Sequence, residues 1–283
     1  MHAKLKIITS MAIFGTISIF VRHISLSSGE IALFRAIIAS IIILMYKKLI
    51  GKGFSLLNIK KDIPILFISG VAMGFNWILL FEAYKYTSVS IATLSYYFAP
   101  VIVMILSPIL FKEKMTIKQI ICFVMSTIGL ILVIDIRGMD KLSANLIGIG
   151  FGLGAAVLYA TVVLLNKFVK NVIGIDKTLI QLFAAAIVLA PYVLATTGIN
   201  IGSLDTIGII NLLILGIVHT GICYCMYFSS LKDLKGQEAS ILSYIDPLVA
   251  IILSVAILNE PITSMQLIGG IMILGFTLVN EIE

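Results

Sequence analysis

Asp246 is the residue whose type and position ask most directly for a chemical role. It lies in the segment SYIDPLVAI, inside a long apolar run. Burying an ionised carboxylate at that depth costs about 2.5–3.5 kcal/mol on insertion scales, so the group must face protein or water rather than lipid. Helical spacing agrees. Ala239, Ser243, Asp246, Ala250 and Ser254 recur at intervals of four, three, four and four and form one small, polar stripe. Such an acid can bind a substrate ammonium or exchange a proton. The plainer alternative is a neutral Asp bonded to a neighbouring helix, holding the bundle together. Pro247 follows it, and Pro100 stands in a matching segment upstream. A proline disrupts the carbonyl pairing one turn earlier, and a freed carbonyl at mid-depth is tolerable only against protein or water. Both prolines are therefore helix-bend candidates, either around a cavity or as static kinks.

Other side chains could share that cavity. Gly216, His219, Thr220, Cys223, Tyr224 and Tyr227 fall on one helical face. His219 could relay a proton with Asp246 or contact a carboxylate; a neutral histidine bonded to another span is the alternative. Gly70, Gly74, Trp77, Phe81 and Tyr84 make a second wall, with Asn76 beside it. Gly70-x-x-x-Gly74 suits close helix packing, which competes with a pore role for that face. Tyr96, Tyr97 and Tyr244 could line the path or seal a seam. Arg35 reads as a carboxylate or gating partner, or as a snorkelling cation paired with Glu30. The candidate substrate-binding or coupling set is thus Asp246, His219, Asn76, Trp77, Tyr96, Ser243, Tyr224, Tyr227 and Arg35. No catalytic residue, metal ligand or cofactor is expected. The sequence lacks GxxxxGK[ST], HExxH and GxSxG, so neither P-loop ATP hydrolysis nor those hydrolase chemistries fit.

The elements that must hold these residues are membrane spans. The chain has 283 residues, 60% hydrophobic and 12% charged, against about 25% charged in soluble domains. Ten apolar runs fill it: 5–22, 29–46, 63–84, 88–111, 116–135, 144–166, 177–197, 206–229, 237–258 and 264–281. Each approaches the roughly 20 residues that a span requires. The opening MHAKLK and its apolar run read as the first span rather than a signal peptide. Lysines 4, 6, 47, 48, 52, 60, 61, 112, 114, 118, 167, 170, 177, 232 and 235 fall on one side; Arg22, Lys85, Arg137 and Lys141 fall on the other. That bias places both termini in the cytoplasm. It also accounts for the net charge of +6, leaving no basic patch for nucleic acid. Cys122, Cys223 and Cys225 lie within spans and read as buried, inert thiols.

The chain also copies itself. AYKYTSVSIATLSYYFAPVIVMILSPILFKEKMTIKQ, from Ala83, aligns without a gap to SLKDLKGQEASILSYIDPLVAIILSVAILNEPITSMQ, from Ser230. Lys85 meets Lys232, Tyr97 meets Tyr244, Pro100 meets Pro247, Ser107 meets Ser254, Glu113 meets Glu260, Thr116 meets Thr263 and Gln119 meets Gln266. Span four thus matches span nine, five spans later. Five is odd, so the copies face opposite sides of the bilayer, the pattern of a secondary transporter. Asp246 meets Ala99, so the repeat's packing does not require the acid. The halves are expected at 1–138 and 139–283. Glu113 and Glu260 are expected to cap the helix that follows each of them. Gly148/Gly152 and Gly150/Gly154 are expected as close-packing pairs.

The P-x(12)-E-x-x-T-x-x-Q arrangement in both copies, with Arg35 in EIALFRAIIAS, resembles the drug/metabolite transporter superfamily, specifically ten-span carriers built from two EamA domains. The resemblance covers essentially the whole chain. It implies an all-α integral membrane fold and one central path open alternately to each side, with export of amino acids or other small metabolites. The expectation is therefore a multi-pass carrier of the bacterial cytoplasmic (inner) membrane that exports an amino acid or related amine. Proton antiport would run through Asp246. Its partners would be the lipid bilayer, a small-molecule substrate and protons, with the chain a monomer or weak oligomer. An ion-independent facilitator is the nearest rival. A polytopic membrane enzyme would need a catalytic cluster that is not seen, and an ion channel would repeat between subunits rather than inside one chain.

Overall fold

An apolar stretch in lipid can satisfy its backbone polar groups internally only as a helix or a closed barrel, and each run forms helix within its described residues. The computed structural model describes residues 2–49, 60–112, 115–134, 142–172, 174–230 and 242–282, and every regular element among them is helical. Span one is α1 (His2–Phe14) and α2 (Ile17–Val21), broken at Gly15 and Thr16. Spans two and three are α3 (Ser28–Leu49) and α4 (Ile63–Tyr86). Span four is α5 (Val89–Tyr96) and α6 (Ala99–Phe111), and span five is α7 (Ile117–Ile134). Spans six and seven are α8 (Leu142–Phe168) and α9 (Gly174–Thr196). Span eight is α10 (Thr206–Ile214), a π-helical segment (Leu215–Ile222) and α11 (Cys223–Ser230). Spans nine and ten are α12 (Ile245–Ala256) and α13 (Ser264–Glu281).

Among the described residues, seven segments are long and apolar enough to cross a membrane, and spans five, nine and ten supply shorter apolar helices. Val89–Phe111 has 23 residues and reaches about 34 Å at about 1.5 Å per residue, enough for a hydrocarbon core of about 30 Å. Glu113, the start of the ninth run and most of the segment joining the halves lie outside the described residues.

The packing obeys an exchange of each span with the one five later. Spans two and seven, four and nine, and five and ten pair with each other. Span three packs on six and on seven, as eight packs on one and on two; four packs on six as nine packs on one. The paired copies run antiparallel. Along spans four and nine, Ser90 bonds Ser254 while Tyr97 bonds Asp246. Along five and ten, Lys118 donates to the Ile282 carbonyl while Gly129 abuts Gly269. A pairing in which one index rises as the other falls is what an axis lying in the membrane plane produces.

Small residues allow the closest approaches. A Cβ on Gly70 would clash with the Gln181 carbonyl, so span three lies backbone to backbone on span seven. Gly148 lies against Thr87, which ends span three, and Gly152 lies against Ser95 of span four. The second expected pair does not form: a Cβ on Gly150 would meet nothing within 4 Å, and Gly154 meets only Leu79. The largest apolar cluster joins spans two, three, seven and eight, including Ile31, Phe81, Leu182, Leu189 and Leu215. Outward faces carry Ile109, Ile187, Leu194, Ile252 and Ile271, the aliphatic surface that lipid requires.

Two repeated turns fix the ends of the copies. Lys112 and Asn259 both adopt left-handed backbone, at φ 56° and 52°. Beyond them, Thr116 and Gln119 exchange side-chain and backbone bonds, and Thr263 and Gln266 do the same. These are reciprocal capping boxes, each capable of about 1 kcal/mol. The expectation that Glu260 caps the helix after it is therefore corrected, because Thr263 and Gln266 already occupy those donors. Glu113 lies outside the described residues.

Candidate functional site

Span four turns at Tyr97 and Phe98, and span nine at Tyr244, before Pro100 and Pro247 respectively. Proline offers no N–H, so the carbonyl four residues earlier loses its helical partner. Phe98 bonds instead to Ser95, and Val101 to Phe98, in tighter three-residue turns. The two breaks face each other at mid-depth. There the Tyr97 hydroxyl donates to Asp246 Oδ2 at 2.6 Å. Gly15, at the break in span one, lies against the Asp246 carbonyl; a Cβ there would sit 2.7 Å away. Three interrupted helices thus meet at this acid.

They border a cavity of about 820 Å³. Its wall at mid-depth includes Asp246, Arg35, Trp77, Tyr84, Tyr96, Tyr97, Tyr159, Tyr224, Tyr227 and Ser243. Rings contact one another around it: Tyr96 with Tyr97 and Tyr159, each at 5.5 Å, and Tyr224 with Phe14 at 5.5 Å. Lone carboxylate and lone guanidinium therefore share one aromatic-walled space. That arrangement suits a small cation or zwitterion, because aromatic faces attract ammonium groups.

The two ends of the cavity differ. Toward the lysine-rich side, the wall continues through Asn166, Gln181, Thr178, Gln119, Lys167 and Asn280. Toward the other side it stops at Ser18, Tyr84 and Thr93. Beyond them lies a polar cluster whose cation, Arg22, is exposed. Arg22 pairs with Glu260 Oε1, while Glu260 Oε2 accepts from the Val89 N–H at 2.7 Å and from the Ser254 hydroxyl. Ser90 donates to Ser254 at 2.9 Å. Glu260 therefore caps span four, the copy of its own span in the opposite half. A carboxylate at a helix N-terminus meets the positive end of the dipole, and charge-assisted bonds of this kind are each worth about 1.5–3 kcal/mol.

The candidate residues separate into two groups. Asp246, Trp77, Tyr96, Ser243, Tyr224, Tyr227 and Arg35 line the cavity, as does Pro100. Asn76 and His219 do not border it. Asn76 donates to the Ala155 carbonyl at 2.6 Å and ties span three to span six. His219 Nε2 lies 2.7 Å from Thr16 Oγ1, and its ring meets Phe20 edge-on at 4.8 Å. It therefore holds the break in span one and does not contact Asp246. Pro247 is buried and does not border the cavity. Arg35 does not snorkel: only 3% of it is exposed. Nor does it pair with Glu30, which accepts from Ser27 and from the Asn200 N–H at 2.6 Å. Ser27 and Glu30 form a capping box on span two. Tyr84, Tyr97, Tyr159 and Gln181 join the wall although they were outside the candidate set. Tyr97 carried a signal, since it is the tyrosine that the repeat aligns with Tyr244. Gln181 and Tyr159 carried none, because their role depends on which helices become neighbours.

A model of the EamA-like transporter family matches the chain twice, over residues 3–135 and 146–280. The uncharacterized transporter YxxF of Bacillus subtilis (strain 168) is 30% identical over 284 residues, covering 99% of this chain and 90% of that protein. Protein PecM of Dickeya dadantii (strain 3937) is 27% identical, covering 88% of this chain and 82% of PecM. A crystal structure with 16% sequence identity matches at a TM-score of 0.66 over 98% of this chain and 96% of that one, a likeness of fold.

Proposed function

The chain belongs to the EamA-like transporter family, and we propose that it exports an amino acid or related amine by alternating access. As a member of that family it is a transporter and not an enzyme. The observation that carries the reading is the cavity of about 820 Å³ in which Asp246 stands among tyrosines, bonded only to Tyr97 among the described residues. An ammonium group is the natural ligand for a carboxylate with a free oxygen and aromatic neighbours.

The orientation supports export. With the lysine-rich side cytoplasmic, both termini face the cytoplasm and the cavity extends inward. The Arg22–Glu260 cluster then closes the outer side. This is a carrier of the bacterial cytoplasmic membrane, loaded from within. Reversal follows when the halves, 1–138 and 139–283, rock across their shared axis, breaking the outer cluster and closing the inner mouth. Asp246 supplies the coupling: proton and substrate ammonium compete for one carboxylate, so a proton entering from outside expels the cargo.

Reconstitution into liposomes with labelled amino acids and amines tests this. Wild-type protein should move at least one of them faster when a pH gradient is imposed. Asp246→Asn should bind the cargo poorly and lose the pH response. Unchanged pH-dependent transport in that variant would overturn the coupling scheme, and uptake of no amine-bearing compound would overturn the cargo class.

A further inference from the structure

We propose that the terminal amino edge of Arg35 is the carboxylate subsite of the cavity, and that Thr220, on the π-helical segment of span eight, aims it. This rests on the ammonium reading of Asp246 and narrows the cargo to compounds that carry a carboxylate as well as an amine.

Arg35 is a buried cation with most of its hydrogen-bonding capacity unused. Its Nε–H donates to Thr220 Oγ1 at 2.6 Å, the one hydrogen bond its side chain makes among the described residues. No carboxylate of the described residues lies within ion-pairing distance. A guanidinium has five N–H donors, so the four on Nη1 and Nη2 remain. Leaving a buried charge so poorly paired is costly, yet the side chain borders the cavity rather than a sealed interior. The planar terminal edge is shaped to receive both oxygens of one carboxylate. A dianion fits less well, because Asp246 borders the same space and would repel the excess charge.

Two contacts fix the plane of that edge. The guanidinium lies 4.3 Å from the Trp77 ring centre, which sets its tilt. Thr220 sets its rotation. Elsewhere in the chain Ser40, Ser95 and Thr277 bond the carbonyl four residues earlier, at Ala36, Ile91 and Ile273. Thr220 instead reaches five residues back, to Leu215 at 2.9 Å. That bond uses its only proton, so the hydroxyl oxygen can act toward Arg35 solely as an acceptor. Glycines bring the segment close enough. A Cβ on Gly216 would lie 2.6 Å from Ile38, and one on Gly221 would lie 2.7 Å from Ile42, both on the span that carries Arg35. The wide turn and the close approach together place an acceptor behind the guanidinium, leaving its terminal edge for cargo.

Trp77 is the sole tryptophan of the chain, so its fluorescence reads this subsite directly. Purified protein is titrated with leucine, methionine and lysine, and with the amine that each yields on decarboxylation. Wild type should bind at least one amino acid about 10-fold or more tightly than its amine, a difference of about 1.4 kcal/mol. Arg35→Lys, which keeps charge but loses the fork, should erase that preference while amine binding persists. Thr220→Val should cut the preference about 3- to 10-fold, and Thr220→Ser should restore it; thermal midpoints verify that each variant is folded. Asp246→Asn should weaken amino acid and amine alike. Equal affinity within every pair, or a preference that survives Arg35→Lys, would overturn the subsite while leaving the ammonium reading standing. Failure of Thr220→Ser to rescue would remove Thr220 from it. If no compound of either kind binds, the ammonium reading falls, and this inference falls with it.

Discussion

Spans four and nine are copies with the same turn, the same proline and the same terminal serine, yet they do different work. In span nine the position before the proline is Asp246, bonded by Tyr97 of span four. Its counterpart in span four is Ala99, which offers Tyr244 no acid. Farther along, Ser254 receives a bond from Ser90 and gives one to Glu260, while its copy Ser107 receives one from Lys167 at 2.7 Å. The shared features build the scaffold. The departures from symmetry give the cavity its charge and make one end tighter than the other.

The largest effect should come from erasing the main departure. Asp246→Asn should lower cargo affinity by about 30- to 150-fold, the value of one charge-assisted contact of about 2–3 kcal/mol, read by equilibrium binding in detergent. Wild-type affinity in that variant would mean that the asymmetry between Ala99 and Asp246 carries no binding energy. Next comes the tighter end. Glu260→Gln removes the charge that Arg22, Val89 and Ser254 share. It should raise labelling of Ser18→Cys by an impermeant maleimide added from the outer side by about 10-fold, for a loss of about 1.5 kcal/mol. Labelling that stays as low as in Ser18→Cys alone would show that the closure does not depend on this acid.

A smaller change should follow Tyr97→Phe, which deletes the bond across the two breaks and keeps the ring. About 1 kcal/mol, or roughly 5-fold in affinity, is expected from one hydrogen bond. Tyr244→Phe, its repeat mate, also borders the cavity but meets no acid at the position matching Asp246, which is Ala99; it should cost less affinity than Tyr97→Phe, and equal losses in the two variants would erase the distinction between the copies. The smallest effect is one where the copies should agree. Thr116→Ala and Thr263→Ala each delete a capping box and should each cost about 1 kcal/mol of stability, read as similar falls in thermal midpoint. Unequal falls would show that the matched turns are not energetically equivalent.

Much of the architecture was legible in the residues themselves. Ten apolar runs, a lysine bias and a gapless internal copy lead to inverted halves, because span length and repeat offset are properties of order along the chain. The turn at Pro100 and Pro247 was legible too, since proline acts on its own backbone. Asp246 could be singled out because an acid in an apolar run is costly wherever the fold puts it. Asn76 and His219 looked just as informative by type, but they hold seams between helices.

Linear order determined the membrane class, the number of spans, their alternation and the presence of a buried acid, each a consequence of local polarity and length. Tertiary structure alone decided which polar groups look into the cavity, that Glu260 caps a helix of the opposite half, and that Arg35 rests on Trp77 and Thr220. Those outcomes depend on which faces of distant helices meet. That is set by close approach at glycines and by broken or widened turns, and none of it can be counted along a chain.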